Sequence, residues 1–280
     1  MILITGATGN VGSQIVQQLL AQGRKVRAFT RDTAKISPLA SQVEVALGDM
    51  TQPETFAAAA KGVEAIFLMN GALDGAAFRH LLDVAKASGN PRVVFLSTLF
   101  AANSSLRIGQ LHKDKEDALR SSGLPFAIVR AGGFMSNTYQ WLRDIKTESV
   151  VYNPMGQGQV ASVDPRDIAA VAAYTLTTSV LEETLFEVTG SELLTTADKA
   201  RILSKYLGRE IRTVDVSPDK AVEALKAQGI PPHVAAALGQ SFENIRAGRA
   251  TQRTATVQNI TGRPPRTYDQ WVKEHAPLFA

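Results

Sequence analysis

Met1-Ile-Leu-Ile-Thr-Gly-Ala-Thr-Gly-Asn-Val-Gly12 opens with an apolar run, Ile2 to Ile4, and breaks into three evenly spaced glycines. A run this short, largely β-branched and bounded by glycine, reads as a buried parallel strand, and the stretch from Ser13 to Leu20 has helical periodicity. The glycines therefore fall at a strand-to-helix turn. Such a turn aims backbone N–H groups and a helix N-terminus at a pyrophosphate, and side chains are excluded where the ligand comes closest. Gly6, Gly9 and Gly12 meet that need, in the spacing GxxGxxG rather than GxGxxG. Their place between a strand and a helix separates them from an ordinary glycine turn.

Working outward, Gln22-Gly23 ends the first helix and Lys25 to Thr30 reads as a second strand. Residues just past this strand meet the adenosine ribose in a dinucleotide fold: an acidic side chain there selects NAD, an arginine the 2′-phosphate of NADP. Here Arg31 and Lys35 are placed for the phosphate, so NADP is expected in preference to NAD; the competing reading leaves Arg31 solvated and makes Asp32 a helix cap. A third strand, Val43 to Leu47, delivers Asp49 and Met50, where Asp49 can accept from an adenine amino group or cap its own turn. Ala65 to Met69 is a fourth strand followed by Asn70-Gly71, and Arg92 to Leu96 a fifth that delivers Ser97 and Thr98. A charged helix at Gln110 to Arg120 precedes the sixth strand, Phe126 to Val129. Strands alternating with helices give an α/β fold, a doubly wound parallel sheet ordered 3-2-1-4-5-6.

Composition narrows the functions. The 280 residues contain no cysteine, which excludes disulfides, thiol catalysis and zinc–thiolate sites. No apolar run reaches the ~20 residues of a membrane helix, and the first strand leaves no room for a signal peptide, so a cytoplasmic, membrane-free protein is expected. A net charge of +4 is too mild to imply nucleic acid. Five arginines between Asn244 and Tyr268, with no acidic residue among them, form a basic strip. No helix-turn-helix or zinc spacing accompanies it, and nucleic acid is not expected as a partner.

TGATGNVG at Thr5 to Gly12, RSSGLPFAIVRAGGFMSN at Arg120 to Asn137, VDPRDIA at Val163 to Ala169 and TGRPPRTYDQW at Thr261 to Trp271 together resemble the NmrA-like family of atypical short-chain dehydrogenases. That resemblance spans nearly the whole chain. It implies a Rossmann-type domain at residues 1–131. Residues 132–280 then form a mostly helical substrate-side lobe, interleaved with returning elements of the main sheet. It also implies cofactor contacts from Gly6, Thr8, Gly9, Asn10, Val11, Gly12, Arg31, Lys35, Asp49, Met50, Met69, Asn70, Gly71, Ser97 and Thr98. Phe134, Met135 and Tyr139 are expected toward the nicotinamide end as an aromatic wall for a planar substrate, though core packing is the commoner fate of such side chains. Neither flavin nor metal is expected.

The chain departs from the wider superfamily at its catalytic helix. The Tyr-x-x-x-Lys pattern is replaced: Ile108 stands at the tyrosine position, His112 at the lysine, and Glu116 one turn on. His112 and Glu116 share a helical face, where the carboxylate is expected to bond the imidazole and raise its pKa toward a proton donor's; alternatively His112 only holds a cofactor hydroxyl. Two functions fit. One is a reductase moving hydride from NAD(P)H to a small quinone-like, azo or other aromatic acceptor, working as a monomer or homodimer. The other is a catalytically silent sensor of the nicotinamide redox state.

Overall fold

The structure is a computed structural model that describes residues 1–71, 74–178 and 184–280. Its strands are β1 (Ile2–Thr5), β2 (Val26–Thr30), β3 (Glu44–Leu47), β4 (Ala65–Leu68), β5 (Arg92–Thr98), β6 (Phe126–Ala131), β7 (Val150–Asn153), β8 (Thr184–Val188) and β9 (Arg212–Asp215). Between and after them run α1 (Gly12–Ala21), α2 (Pro53–Ala60), α3 (Gly75–Ala87), α4 (Arg107–Ser121), α5 (Leu142–Glu148), α6 (Pro165–Thr177), α7 (Thr196–Leu207), α8 (Pro218–Ala227), α9 (Pro232–Arg246), α10 (Thr256–Thr261) and α11 (Tyr268–His275).

The main sheet is parallel and ordered β3-β2-β1-β4-β5-β6-β8. The six expected strands stand in the expected order, and β8, a returning strand whose residues the sequence did not mark, adds a seventh at the β6 edge. Alternation along each strand divides the apolar side chains between two layers, as a sheet covered on both faces requires. Ile2, Ile4, Phe67, Val94 and Val129 point to one face and pack with Ile15, Val16 and Leu19 of α1 and Ile168, Val171 and Ala172 of α6. Leu3, Ile66, Phe95 and Ile128 point to the other and meet Phe56 of α2, Phe78, Leu81 and Leu82 of α3 and Leu119 of α4.

Beyond β6 the chain builds a third cluster, in which Met135, Ile145, Val151 and Leu203 surround Tyr268, Trp271 and Phe279. A separate parallel pair, β7 with β9, lies in this region. Between Val160 and Val163 only isolated bridges occur, Val160 with Leu194 and Val163 with Phe134. Three of the five arginines of the basic strip are engaged in ion pairs. Arg246 binds Asp215 at 2.8 Å, Arg263 binds Asp167 at 2.8 Å, and Arg266 joins Asp164 and Glu274. Arg166 also reaches Asp164 and Glu274, so the charges around the start of α6 fasten it to the chain's C-terminal end. Among the described residues no helix is long and apolar enough to cross a membrane.

One of the tightest points of the fold is in the first turn. A Cβ on Gly12 would lie 2.1 Å from the Gly6 carbonyl oxygen, an overlap with backbone that no side-chain adjustment relieves. Gly12→Ala is expected to cost about 3 kcal/mol and to lower the melting temperature by roughly 10 °C. Gly9→Ala, whose nearest neighbour would be the same oxygen at 3.2 Å, is expected to leave melting within a few degrees. Thermal unfolding followed by circular dichroism checks the contrast.

Candidate functional site

The carboxyl ends of β1, β4, β5 and β6 are neighbours, and the chain leaves β1 and β4 in opposite directions across the sheet. Open α/β sheets bind ligands at such a switch point. The glycine turn lies there. Gly6 takes the left-handed conformation (φ +62°), and a Cβ on it would strike Met69 Sδ at 2.3 Å. Met69 is thus a floor under the turn. Gly9 donates its N–H to the Gly6 carbonyl at 2.9 Å and is exposed, as is Asn10, while Thr8 is half-buried. Val11 is buried with its side chain in the core, which leaves only its backbone to a ligand. α1 begins without a side-chain cap and with no acidic residue in its first turn; the Gly9 carbonyl takes the Ser13 N–H at 3.0 Å, and the helix's positive end is left open to an anion.

These features suit a dinucleotide pyrophosphate: a Cβ on Gly9 would meet only the Gly6 carbonyl oxygen, at 3.2 Å, while those on Gly6 and Gly12 would overlap their neighbours. The Thr5 hydroxyl locks the floor in place by donating to the Phe67 carbonyl and accepting from the Met69 N–H, both at 2.9 Å.

Past β2, Arg31 is 80% exposed and lies 3.7 Å from Asp49, an exposed pair weak enough to open for another anion. Lys35 is equally free, with Asp32 at 4.0 Å, and Asp32 Oδ1 caps the Ala34 N–H at 2.9 Å. Asp49 Oδ1 accepts from the Thr51 N–H and hydroxyl, both at 2.9 Å, and these bonds with Arg31 hold its carboxyl below the usual range. Asp49 therefore does cap its own turn, with Oδ2 toward Arg31. Met50 packs against the lower core.

The polar centre of the edge lies where Asn70, Ser97, His112 and Glu116 converge. Asn70 Nδ2 is 3.0 Å from His112 Nε2, Ser97 Oγ is 3.4 Å from His112 Nδ1, and the Ser97 hydroxyl donates to Glu116 Oε1 at 2.6 Å. Gly71 follows with φ +55°, turning the chain away, and the Thr98 hydroxyl is engaged by the Phe100 N–H. α4 carries His112 and Glu116 into this position. A Cβ on Gly109 would lie 2.2 Å from the Phe100 carbonyl oxygen, so glycine lets the helix seat there, and Gln240 of α9 accepts from the otherwise uncapped Arg107 N–H at 2.9 Å.

Three expectations are corrected. Ser97 stands between His112 and Glu116, so their link is indirect. The imidazole pKa is pushed down, not up, to about 4: burial and the Lys115 charge outweigh Glu116, whose charge is already matched by Arg130. Met135, assigned to the acceptor wall, is buried in the third cluster, and Tyr139 meets Trp271 at a tilt with centroids 5.3 Å apart and stacks on Phe279 at 6.1 Å; both are held there by a core the second lobe needs. Phe134 stays half-buried beside the end of β6.

Two residues here escape a reading by sequence. Arg130 makes a bidentate pair with the fully buried Glu116 at 2.8 and 2.6 Å, and Glu187 is 3.9 Å away on its other side. Its signal was a charge ending the apolar run of β6. Lys115 is 4% exposed and donates to Asn70 Oδ1 at 2.5 Å. It falls three residues after His112, on the inward stripe shared with Glu116 and Leu119, but is masked by the neighbouring charges Lys113, Asp114 and Asp117. Among the described residues no group of His, Asp or Glu is arranged to hold a metal.

The chain has counterparts among known proteins. Residues 6–179 match the NAD(P)H-binding family. The (4-alkanoyl-5-oxo-2,5-dihydrofuran-3-yl)methyl phosphate reductase of Streptomyces griseus is 36% identical across 100% of this chain and 99% of the relative. The NAD(P)H azoreductase of Xenophilus azovorans is 33% identical, again over 100% of this chain and 99% of the relative. An NADPH-dependent quinone oxidoreductase of Escherichia coli, solved with NADPH, superposes with a TM-score of 0.86 at 27% identity, covering 98% of this chain and 99% of its own. The chain belongs to the NAD(P)H-binding family, and like these relatives it is an oxidoreductase.

Proposed function

We propose that the protein transfers hydride from NADPH, without flavin or metal, to a small, planar, electron-poor acceptor of the quinone, azo or related aromatic kind. The observation that carries this reading is the state of His112: a neutral imidazole with a hydrogen-bond partner at each nitrogen, on a helix without the expected tyrosine. At this edge neither the imidazole nor a tyrosine serves as a strong proton donor. A simple ketone taking hydride becomes a basic alkoxide and needs one. A quinone or azo group spreads the incoming charge over its conjugated frame and takes its protons later from water. The quinone and azo relatives along the full length of the chain support the same class.

In this proposal Gly9 and the open start of α1 hold the pyrophosphate, and Arg31 with Lys35 holds the 2′-phosphate. Asn70, Ser97 and Phe134 face the nicotinamide end. The bound nicotinamide supplies the hydride. His112 and Glu116 act by fixing the loop after β4 against β5, which orients the ring and keeps water from it, rather than by carrying the whole proton transfer.

Calorimetric titration checks the cofactor assignment. Arg31→Ala should weaken NADPH binding by roughly tenfold or more and leave NADH almost unchanged, whereas equal losses would remove Arg31 as a phosphate reader. Gly9→Val should abolish binding of both cofactors in a protein that still folds. For turnover, NADPH oxidation is followed in flavin-free buffer with a naphthoquinone, an azo dye and a simple ketone. Quinone and dye should be reduced and the ketone barely so. Tight NADPH binding with no acceptor reduced above background would replace the reductase by a sensor.

A further inference from the structure

The hydrogen bonds at the carboxyl edge form a chain whose direction is set from both ends. At one end Lys115, an ammonium that can only donate, gives a bond to Asn70 Oδ1 at 2.5 Å and a longer one to the Asn70 carbonyl at 3.4 Å. At the other end Glu116, paired to Arg130, accepts the Ser97 hydroxyl proton at 2.6 Å. With Oδ1 engaged by Lys115, the Asn70 amide must turn Nδ2 toward His112, and a donor 3.0 Å from Nε2 requires an unprotonated nitrogen there. The ring proton then sits on Nδ1, facing Ser97 Oγ at 3.4 Å. Every link runs from Lys115 toward Glu116.

We propose that Lys115 is a positioning residue that, through the Asn70 amide, fixes His112 as the Nδ1–H tautomer with Nε2 a hydrogen-bond acceptor. The charges facing this ring are Lys115 and Glu116 from α4, with Arg130 of β6 behind Glu116 and Asp74 at the start of α3 acting on Lys115. Phe95 of β5 closes another side, its ring centroid 6.2 Å from the imidazole. Among the described residues no carboxylate lies within ion-pair distance of Lys115, so its charge is turned on the asparagine and, beyond it, the histidine. Its consequence for catalysis rests on the reductase reading: His112 then braces the loop after β4 and is not the acid that completes reduction.

Two-bond 1H–15N correlation spectra of the cofactor-free protein, recorded from about pH 8 down to about pH 4.5, read the tautomer and the protonation midpoint together. The signals of His112 are separated from those of His80, His233 and His275 by their loss in His112→Gln. The wild-type ring should be Nδ1–H, with no midpoint above about pH 5. In Lys115→Met the Asn70 amide is released, the Nε2–H form should appear, and the midpoint should rise by about one unit or more. Asn70→Asp offers Nε2 an acceptor in place of a donor and should force a proton onto it. A wild-type Nε2–H ring overturns the proposal, and so does either folded variant that leaves the nitrogen shifts and midpoint in place. No cofactor or acceptor enters the measurement, so a protein that reduced nothing would still give the expected spectra, and a ring that is Nε2–H yet still neutral at about pH 7 overturns the tautomer while leaving the reductase reading intact.

Discussion

Glu116 is a carboxylate with no solvent-exposed surface, and much of the carboxyl edge is arranged around that fact. A buried charge persists only if its partners surround it, and removing one partner from such a pair costs about 3–5 kcal/mol. Ser97 of β5 and Arg130 of β6 are directly paired in the sheet register, so both reach the same carboxylate on α4. The sheet register therefore sets the height at which α4 must lie. Once Glu116 is in place, His112 one turn earlier is brought to Ser97 and Asn70, and the loop after β4 is drawn to the end of β5.

The architecture was legible because the signals for it are local. Glycine spacing, short apolar runs and the turns between them mark strands β1 to β6 and their order, since a parallel sheet buried on both faces makes each strand uniformly apolar. β8 was not legible: Thr184 to Val188 is only half-buried over most of its length and carries Glu187, so it lacks that signature. Its place was decided by the edge of β6, a contact from far along the chain.

The site divides in the same way. The glycine turn and Asn70, Ser97 and Glu116 lie where strand ends or helical spacing put them. Lys115 and Arg130 did not stand out, because a charged side chain is by default a surface one, and only the packing around Asn70 and Glu116 shows these two turned inward. The sign of the His112 shift followed from the same gap. Counting Glu116 alone predicts an imidazole made more basic. Adding burial and the Lys115 charge reverses it. Met135 was misassigned for a related reason: nearness in sequence to the end of β6 did not reveal that the third cluster would claim it.

α6 and β8 carry a consequence for how this chain can be divided. Both follow β6 by more than thirty residues, yet Ile168, Val171 and Ala172 fill one face of the main sheet, and Val188 lies in the same cluster. Residues 1–131 consequently do not close their own core. A nucleotide-binding half cut from this chain would expose an apolar face and an unpaired strand edge, the conditions for aggregation. The fold resists modular exchange: residues 132–280 cannot be swapped as a cassette, because they are sewn through residues 1–131.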